Sequence, residues 1–222
     1  MIFLKKYYAI QKGRKPGVYQ SWPEAQKQVA GFKGAVFKGF TDLKSAQAFM
    51  NRKEQLADKV DVNQFDVLLY TDGGTRNTGN VRGGHVKQTD KAAWAYLIKQ
   101  NGKSISGSKG HLGATNNQME ITALVKGLSK LVNLKLNHEK VLLIADSKYV
   151  LDSISKGWLQ SWEAHDWHKS NGGPVANVDL WKNVDELLPQ FTQLTYSWTK
   201  GHNDNQGNIF VDHLLNKTMD EM

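Results

Sequence analysis

Val141, Leu142, Leu143, Ile144 and Ala145 follow one another without a polar interruption and stop at Asp146. A half-exposed strand alternates apolar and polar residues, so a short unbroken run predicts a strand covered on both faces, in the parallel part of a sheet. Strand-like and helix-like segments alternate around it. Residues 65–71 predict a strand that ends at Asp72-Gly73-Gly74, where the two glycines are expected to make a sharp turn. Beyond a long glycine-containing loop, residues 92–99 and 102–110 predict antiparallel neighbours joined at Asn101-Gly102. Ile121, Leu124, Val125 and Leu128 fall at helical spacing in residues 117–131. A helix is expected from near Ser147, a Trp-rich segment spans 157–167, and Asn177 or Asp179 opens a helix through Leu188. Leu194, Tyr196 and Trp198 alternate with polar residues in a last strand, followed by Gly201-His202 and a terminal helix containing Asp212. This order predicts an α/β domain with a mixed sheet.

The first fifty residues read differently. An apolar-rich run over 3–10, a turn at 12–17 and Val18-Tyr19 lead to Ser21-Trp22-Pro23-Glu24, a helix start with Ser21 or Trp22 at the cap. That helix should reach about Val29, a strand should follow over 35–40, and Thr41 should cap a helix over 42–50. The order is β-β-α-β-α, with both helices expected on one face of the sheet. Residues 51–63 are polar and charged and read as a short linker, so the expected division is 1–50, 51–63 and 64–222.

Charge separates the two parts further. The 222-residue chain has a formal net charge of +8, and residues 1–60 hold 12 of its 29 Lys/Arg but only 4 of its 21 Asp/Glu. The remainder is balanced. A basic excess confined to one segment favours a polyanionic partner, because neutralised phosphates release condensed counterions, although solubility alone also uses such charge. The chain has no cysteine, which excludes a disulfide scaffold and thiolate metal ligands. Its apolar runs are too short for a membrane span, and residues 1–10, short and soon charged, are not expected to act as a signal peptide. The expected setting is cytoplasmic, with no membrane association.

Asp72 and Asp146 follow buried-looking strands, and Glu120 lies near a helix start. Ligands collect at the carboxyl ends of strands in open α/β sheets. Each residue also has a structural use: Asp72 as a turn former, Asp146 as an N-cap, and Glu120 as the capping-box acid of a helix capped by Asn117. Taken jointly, clustered carboxylates repel one another unless a hard cation neutralises them. With Asp212, four carboxylates would be enough for two metals and in-line phosphoryl displacement.

Residues 65–219 resemble type 1 ribonuclease H in an ordered set of motifs. These are Tyr70-Thr71-Asp72-Gly73-Gly74, Thr115-Asn116-Asn117-Gln118-Met119-Glu120, Ala145-Asp146-Ser147 with Tyr149-Val150, Pro174-Val175-Ala176-Asn177-Val178-Asp179-Leu180-Trp181, Trp198-Thr199-Lys200-Gly201-His202, and Asp212. The resemblance implies a mixed five-stranded sheet flanked by helices. It also implies endonucleolytic hydrolysis of the RNA strand of RNA–DNA hybrids with two Mg2+ ions, Mn2+ being a substitute, to leave 5′-phosphate and 3′-hydroxyl ends. In this reading Asp72 bridges both metals, Glu120 and Asp146 bind the leaving-group metal, and Asp212 binds the metal that activates water. His202 assists proton movement or product release.

The resemblance also supplies substrate contacts. Asn116 and Asn117 or Gln118 match residues that touch 2′-hydroxyls, the group that distinguishes RNA from DNA. Thr115 and Asn177 match positions that hold a DNA-strand phosphate. Two departures stand out: Gly113 occupies the place of a basic residue, and the asparagine expected shortly after Asp72 is displaced, with Asn77 and Asn80 as candidates. Trp158, Trp162 and Trp167 match a substrate-binding handle with few lysines, and the helical spacing of Trp158 and Trp162 favours core packing.

Residues 6–49 resemble the hybrid-binding, or viroplasmin-like, domain through Tyr8-Ala9-Ile10, Gly13-Arg14-Lys15, Gly17-Val18-Tyr19, Trp22, Phe37-Lys38 and Phe40. Trp22 and Phe37 match residues that stack on deoxyriboses, with Tyr8 and Lys38 nearby, while Gly39 replaces a lysine. Aromatics interleaved with basic residues suit a backbone-tracking surface, and the same aromatics could instead form the core of a very small domain. The expected partners are RNA–DNA hybrid and, through this domain, double-stranded RNA; nothing in the chain demands more than a monomer. A binding module with a decayed nuclease is disfavoured by four intact acidic positions. A transposase or resolvase of the same superfamily is disfavoured by the N-terminal domain and the Asn116-Asn117 pair.

Overall fold

The computed structural model describes residues 7–32, 35–51, 60–76, 86–199 and 205–222. Two units emerge, Met1–Gln55 and Leu56–Met222.

The N-terminal unit contains β1 (Tyr7–Lys12), β2 (Gly17–Tyr19), α1 (Trp22–Val29), β3 (Val36–Phe40) and α2 (Leu43–Asn51). Its antiparallel sheet has the order β2-β1-β3. Ser21 is the N-cap of α1 but makes no side-chain capping bond. The helices do not share a face, contrary to expectation. Tyr8 and Ile10 cluster with Ala25 and Val29 of α1. Ala9, which must point to the opposite side of the pleat, is also fully buried, as is Ala46 of α2, and α2 packs against all three strands. Apolar residues on both sides of β1, Tyr8 and Ile10 on one and Ala9 on the other, therefore place one helix on each face.

The C-terminal unit holds β4 (Val67–Arg76), β5 (Lys91–Gln100), β6 (Lys103–Leu112), α3 (Asn116–Asn133), β7 (Lys140–Ala145), α4 (Lys148–Ser155), α5 (Trp158–Ala164), α6 (Val178–Leu187), β8 (Gln193–Trp198) and α7 (Gln206–Asp220). The sheet order is β6-β5-β4-β7-β8. β4, β5 and β6 pair antiparallel, while β4–β7 and β7–β8 pair parallel. Asn101 and Gly102 both have positive φ, 47° and 74°, as the two-residue hairpin turn between β5 and β6 requires.

β7 explains its own composition. Val141, Leu143 and Ala145 join the cluster under α3, with Ile121, Leu124 and Leu128. Leu142 and Ile144 join the opposite cluster, with Val211, Leu215 and Met219 of α7. A central strand covered by helices on both sides has no position at which a polar side chain could reach water. Among the described residues, no helix is long and apolar enough to cross a membrane.

The main departure is at the glycine pair. β4 does not turn at Gly73-Gly74; it continues in register with β5 through Asp72↔Ala95, Gly73↔Trp94 and Gly74↔Ala93. Gly73 is needed for close approach instead: a Cβ there would lie 2.2 Å from the backbone of Met119 and of Glu120. Omitting that atom lets the N-terminal part of α3 lie directly on the strand.

Candidate active site

Strand register begins the assembly. Thr71 lies opposite Ala145 in the parallel β4–β7 pair, so the next residues of the two strands, Asp72 and Asp146, emerge beside one another. α3, seated on Gly73, contributes Glu120. Oxygen atoms of Asp72, Glu120 and Asp146 all lie within 4.8 Å of one another. Asp72 and Glu120 are each only 7% exposed.

The alternative structural uses of these acids are taken by other residues. Thr115, not Asn117, caps α3, its Oγ accepting from the Gln118 N–H at 3.2 Å. Glu120 is therefore too far into the helix to serve as a capping-box acid. Ser147 caps α4 by accepting from the Val150 N–H, which relieves Asp146 of that role. Asp72 lies within a strand and forms no turn.

Electrostatics show the cost of gathering them. Burial, reinforced by the charges of Asp146 and Asp212, pushes the Asp72 carboxyl up to about 8 against the pull of a hydrogen bond with the Gly73 backbone. Burial, then Asp72 and Asp146, raise Glu120 well above the usual carboxylate range, opposed by hydrogen bonds with Asn116 and Gly73. The donor set fits a hard divalent cation: carboxylate oxygens of Asp72, Glu120 and Asp146 converge, and a cation bound among them would relieve their repulsion.

Asp212 stands outside this group of three, on α7, although its charge reaches Asp72. Asn116 joins the cluster by donating from Nδ2 to Glu120 Oε1 at 3.5 Å. Asn117 is exposed and Gln118 half-buried beside it. Asn177 precedes α6 in left-handed conformation, φ 58°, and its side chain makes no capping bond. Gly113 also has positive φ, 69°, and an added Cβ would lie 3.1 Å from Gln88 Cα, so the chain path explains why no basic side chain stands there. Asn77, Asn80 and His202 lie outside the described residues.

Two contributors were not anticipated in their roles. Gly73 gives no chemical signal, and its purpose is visible only once α3 lies on β4. Trp198, opposite Ala145 at the end of β8, donates its indole N–H to the Asp146 carbonyl at 3.0 Å, and Lys148 Nζ lies 4.3 Å from its ring centre. The indole thus fixes the backbone that presents Asp146. In the Trp-rich segment, Trp162 packs on Trp181 at 5.5 Å between ring centres, while Trp158 remains 40% exposed.

In the N-terminal unit Trp22 stands between Tyr8, at 5.3 Å, and Phe37, at 5.7 Å, and both Trp22 and Phe37 are exposed. Lys38 is not part of this surface. It pairs with Ala9 on the other face of the sheet, with Nζ 5.9 Å from the Phe40 ring centre. Arg14 is held by the fold, donating to the Lys27 and Ala30 carbonyls at the end of α1.

A family model described as RNase H matches residues 64–220. The chain belongs to the ribonuclease H family. A second family model, the ribonuclease H1 N-terminal domain, matches residues 6–50. Ribonuclease H of Ruthia magnifica subsp. Calyptogena magnifica is 36% identical over 158 residues, which are 70% of this chain and 97% of that protein. Ribonuclease H of Hydrogenovibrio crunogenus is 38% identical over 159 residues, 71% of this chain and 97% of that one. Among solved structures, a type 1 RNase H with the type 2 active-site motif superposes with a TM-score of 0.58 at 18% identity, covering 70% of this chain and 72% of the other. The N-terminal RNase H domain of a Mycobacterium tuberculosis protein gives a TM-score of 0.52 at 22% identity, covering 71% and 95%. These structural likenesses establish the fold, and the family establishes a ribonuclease H enzyme.

Proposed function

We propose that this enzyme cuts the RNA strand of RNA–DNA hybrids endonucleolytically by two-metal catalysis, leaving 5′-phosphate and 3′-hydroxyl ends. The observation that carries the reading is the convergence of Asp72, Glu120 and Asp146 within 4.8 Å at a buried site that holds two of them above their ordinary protonation range. A fold bears this repulsion in exchange for a cation site. Asp72, Glu120, Asp146 and Asp212 would hold Mg2+, with Mn2+ as a substitute. Bound there, the cations supply activation of the attacking water and neutralisation of charge on the phosphate.

The chain's own groups would select and orient the substrate. Asn116, tied to Glu120, links recognition of a 2′-hydroxyl to the carboxylate cluster. Asn117 and Gln118 share that edge, and Thr115 and Asn177 face the DNA strand. His202 serves proton movement or product release. The Tyr8–Trp22–Phe37 cluster, with Trp22 and Phe37 exposed, gives the N-terminal unit a stacking surface for hybrid and for double-stranded RNA.

The test uses end-labelled RNA that is hybridised to DNA, paired with RNA, or single-stranded, each with Mg2+ and with chelator, for the protein and for Asp72→Asn. Cutting confined to the hybrid with Mg2+, and reduced at least about a thousandfold in the variant, is expected from losing roughly 4 kcal/mol of transition-state stabilisation. Hybrid binding without cutting would make the chain a binding protein, and cutting of all three forms would overturn the substrate assignment.

A further inference from the structure

Asp212 differs from the other three acids in how it is held. Asp72 and Asp146 are placed by strand register, and Glu120 by the seating of α3 on Gly73. Asp212 lies on α7, which crosses the sheet on the face opposite α3 and is anchored by Val211, Leu215 and Met219. Those apolar contacts fix the helix but do not select a rotamer for a half-buried carboxylate. Hydrogen bonds do. Asn216, one turn along α7, donates from Nδ2 to Asp212 Oδ1 at 3.2 Å and to the Asp212 carbonyl at 2.9 Å.

Asn216 is itself oriented from β4. Arg76 is the last residue of that strand, and alternation puts it on the same face as Asp72. Its Nη2 donates to Asn216 Oδ1 at 3.2 Å and to the Asn216 carbonyl at 3.0 Å, while its Nη1 pairs with Asp220. An amide has one acceptor end and one donor end. With Oδ1 facing the guanidinium, Asn216 can present only Nδ2 to Asp212, so the amide cannot flip without losing both bonds. The strand that carries Asp72 thereby sets the orientation of the carboxylate on α7. The planar guanidinium engages Asn216 through Nη2 and Asp220 through Nη1 in a fixed fork, an arrangement that the single nitrogen of a lysine does not offer.

We infer that Arg76 and Asn216 are positioning residues that hold Asp212 ready to complete the cation site. This rests on the proposed role of Asp212 as a cation ligand. The bonds of Arg76 and Asn216 run to one another, to Asp220 and to Asp212, so their effect should fall on cation affinity and not on hybrid affinity.

The experiment compares Arg76→Ala, Arg76→Lys, Asn216→Ala and Asp212→Asn in the full chain at 20 °C, with circular dichroism to confirm folding. Mn2+ binding is measured by calorimetry, and cleavage is followed against Mg2+ concentration and against hybrid concentration. Asn216→Ala should weaken Mn2+ binding and raise half-saturating Mg2+ about tenfold, and Arg76→Ala severalfold, with KM for hybrid unchanged and kcat largely recovered at high Mg2+. Arg76→Lys should remain closer to Arg76→Ala than to the parent. If Asp212→Asn disrupts the cation dependence while the Arg76 and Asn216 variants leave it unchanged, the positioning role is wrong and the function stands. If Asp212→Asn itself leaves cation binding and cleavage intact, the assigned role of Asp212 fails, and the positioning role with it. Because a purely structural anchor would lower thermal stability without moving the Mg2+ midpoint of the folded protein, that result also counts against the proposal.

Discussion

The two units dispose of their least comfortable side chains in opposite ways. The C-terminal unit buries carboxylates: Asp72 and Glu120 sit beneath the surface with like charge around them. The N-terminal unit exposes aromatics: Trp22 and Phe37 remain 37% and 44% accessible beside Tyr8. Core size explains the contrast. A two-sided core built around a five-stranded sheet can bear several kcal/mol of unfavourable charge and stay folded. A cluster centred on Ile10, Ala25 and Val29 has little apolar volume with which to enclose three rings. One unit therefore suits chemistry that needs preorganised charge, and the other suits a surface that meets a flat partner.

The sharpest way to break this comparison is Gly73→Ala. The added methyl would meet backbone and not a movable side chain, so a cost of about 3 kcal/mol is expected from overpacking. That corresponds to a fall of roughly 6–12 °C in Tm, measured by thermal denaturation. A melting temperature within a degree of the parent would show that α3 does not depend on this close approach.

Next is the strain in the carboxylates themselves. Asp72 has a folded-state value raised to about 8 from an ordinary 3.8. In chelator, the unfolded chain releases this proton as pH rises above about 4 while the folded chain retains it to about 8. Stability should therefore decline as pH rises through that window and level off above it. Asp72→Asn should remove much of the decline and melt roughly 4–8 °C higher at pH 8 without metal, on the order of 2 kcal/mol. A variant less stable than the parent there would mean that the site is not strained.

The aromatic surface is expected to give a smaller effect. Phe37→Ala should weaken hybrid binding in chelator about tenfold, near the low end of the roughly 1–3 kcal/mol per stacked group. Cleavage at saturating hybrid and the melting of the C-terminal unit should be unaffected. Trp22→Ala should act in the same direction. Unchanged affinity in both would return these rings to a purely structural role.

Gly113→Arg is the mildest test. Restoring a basic residue there should cost about 1 kcal/mol, because a side chain is forced into left-handed backbone beside Gln88. Differential scanning fluorimetry would read this as a drop of roughly 2–4 °C. A gain in both stability and hybrid affinity would mean that the loop readily adopts a different path.

Much of the architecture was legible along the chain. The apolar run of β7, the helical spacing of Ile121, Leu124 and Leu128, and the Asn101-Gly102 turn each report a local conformation through periodicity or backbone preference. The identities of the acids and the aromatics that merit attention are legible too, because few structural uses call for such residues in that order. Three features required the folded chain. Gly73-Gly74 reads as a turn but serves contact, since the same missing Cβ permits either and only a neighbouring element distinguishes them. Lys38 reads as a companion of Phe37, yet the pleat of β3 sends the two to opposite faces. Asn117 reads as a cap, but one upstream residue, Thr115, takes that bond.

By itself, then, the sequence determined most of the segments that become strands and helices, the end of β4 excepted, because those choices depend on neighbours within a few residues. Only the tertiary structure decided that Asp72, Glu120 and Asp146 meet. Their distance depends on the register of Thr71 against Ala145 and on a helix resting against bare backbone at Gly73, and both arise from contacts between segments far apart in the chain.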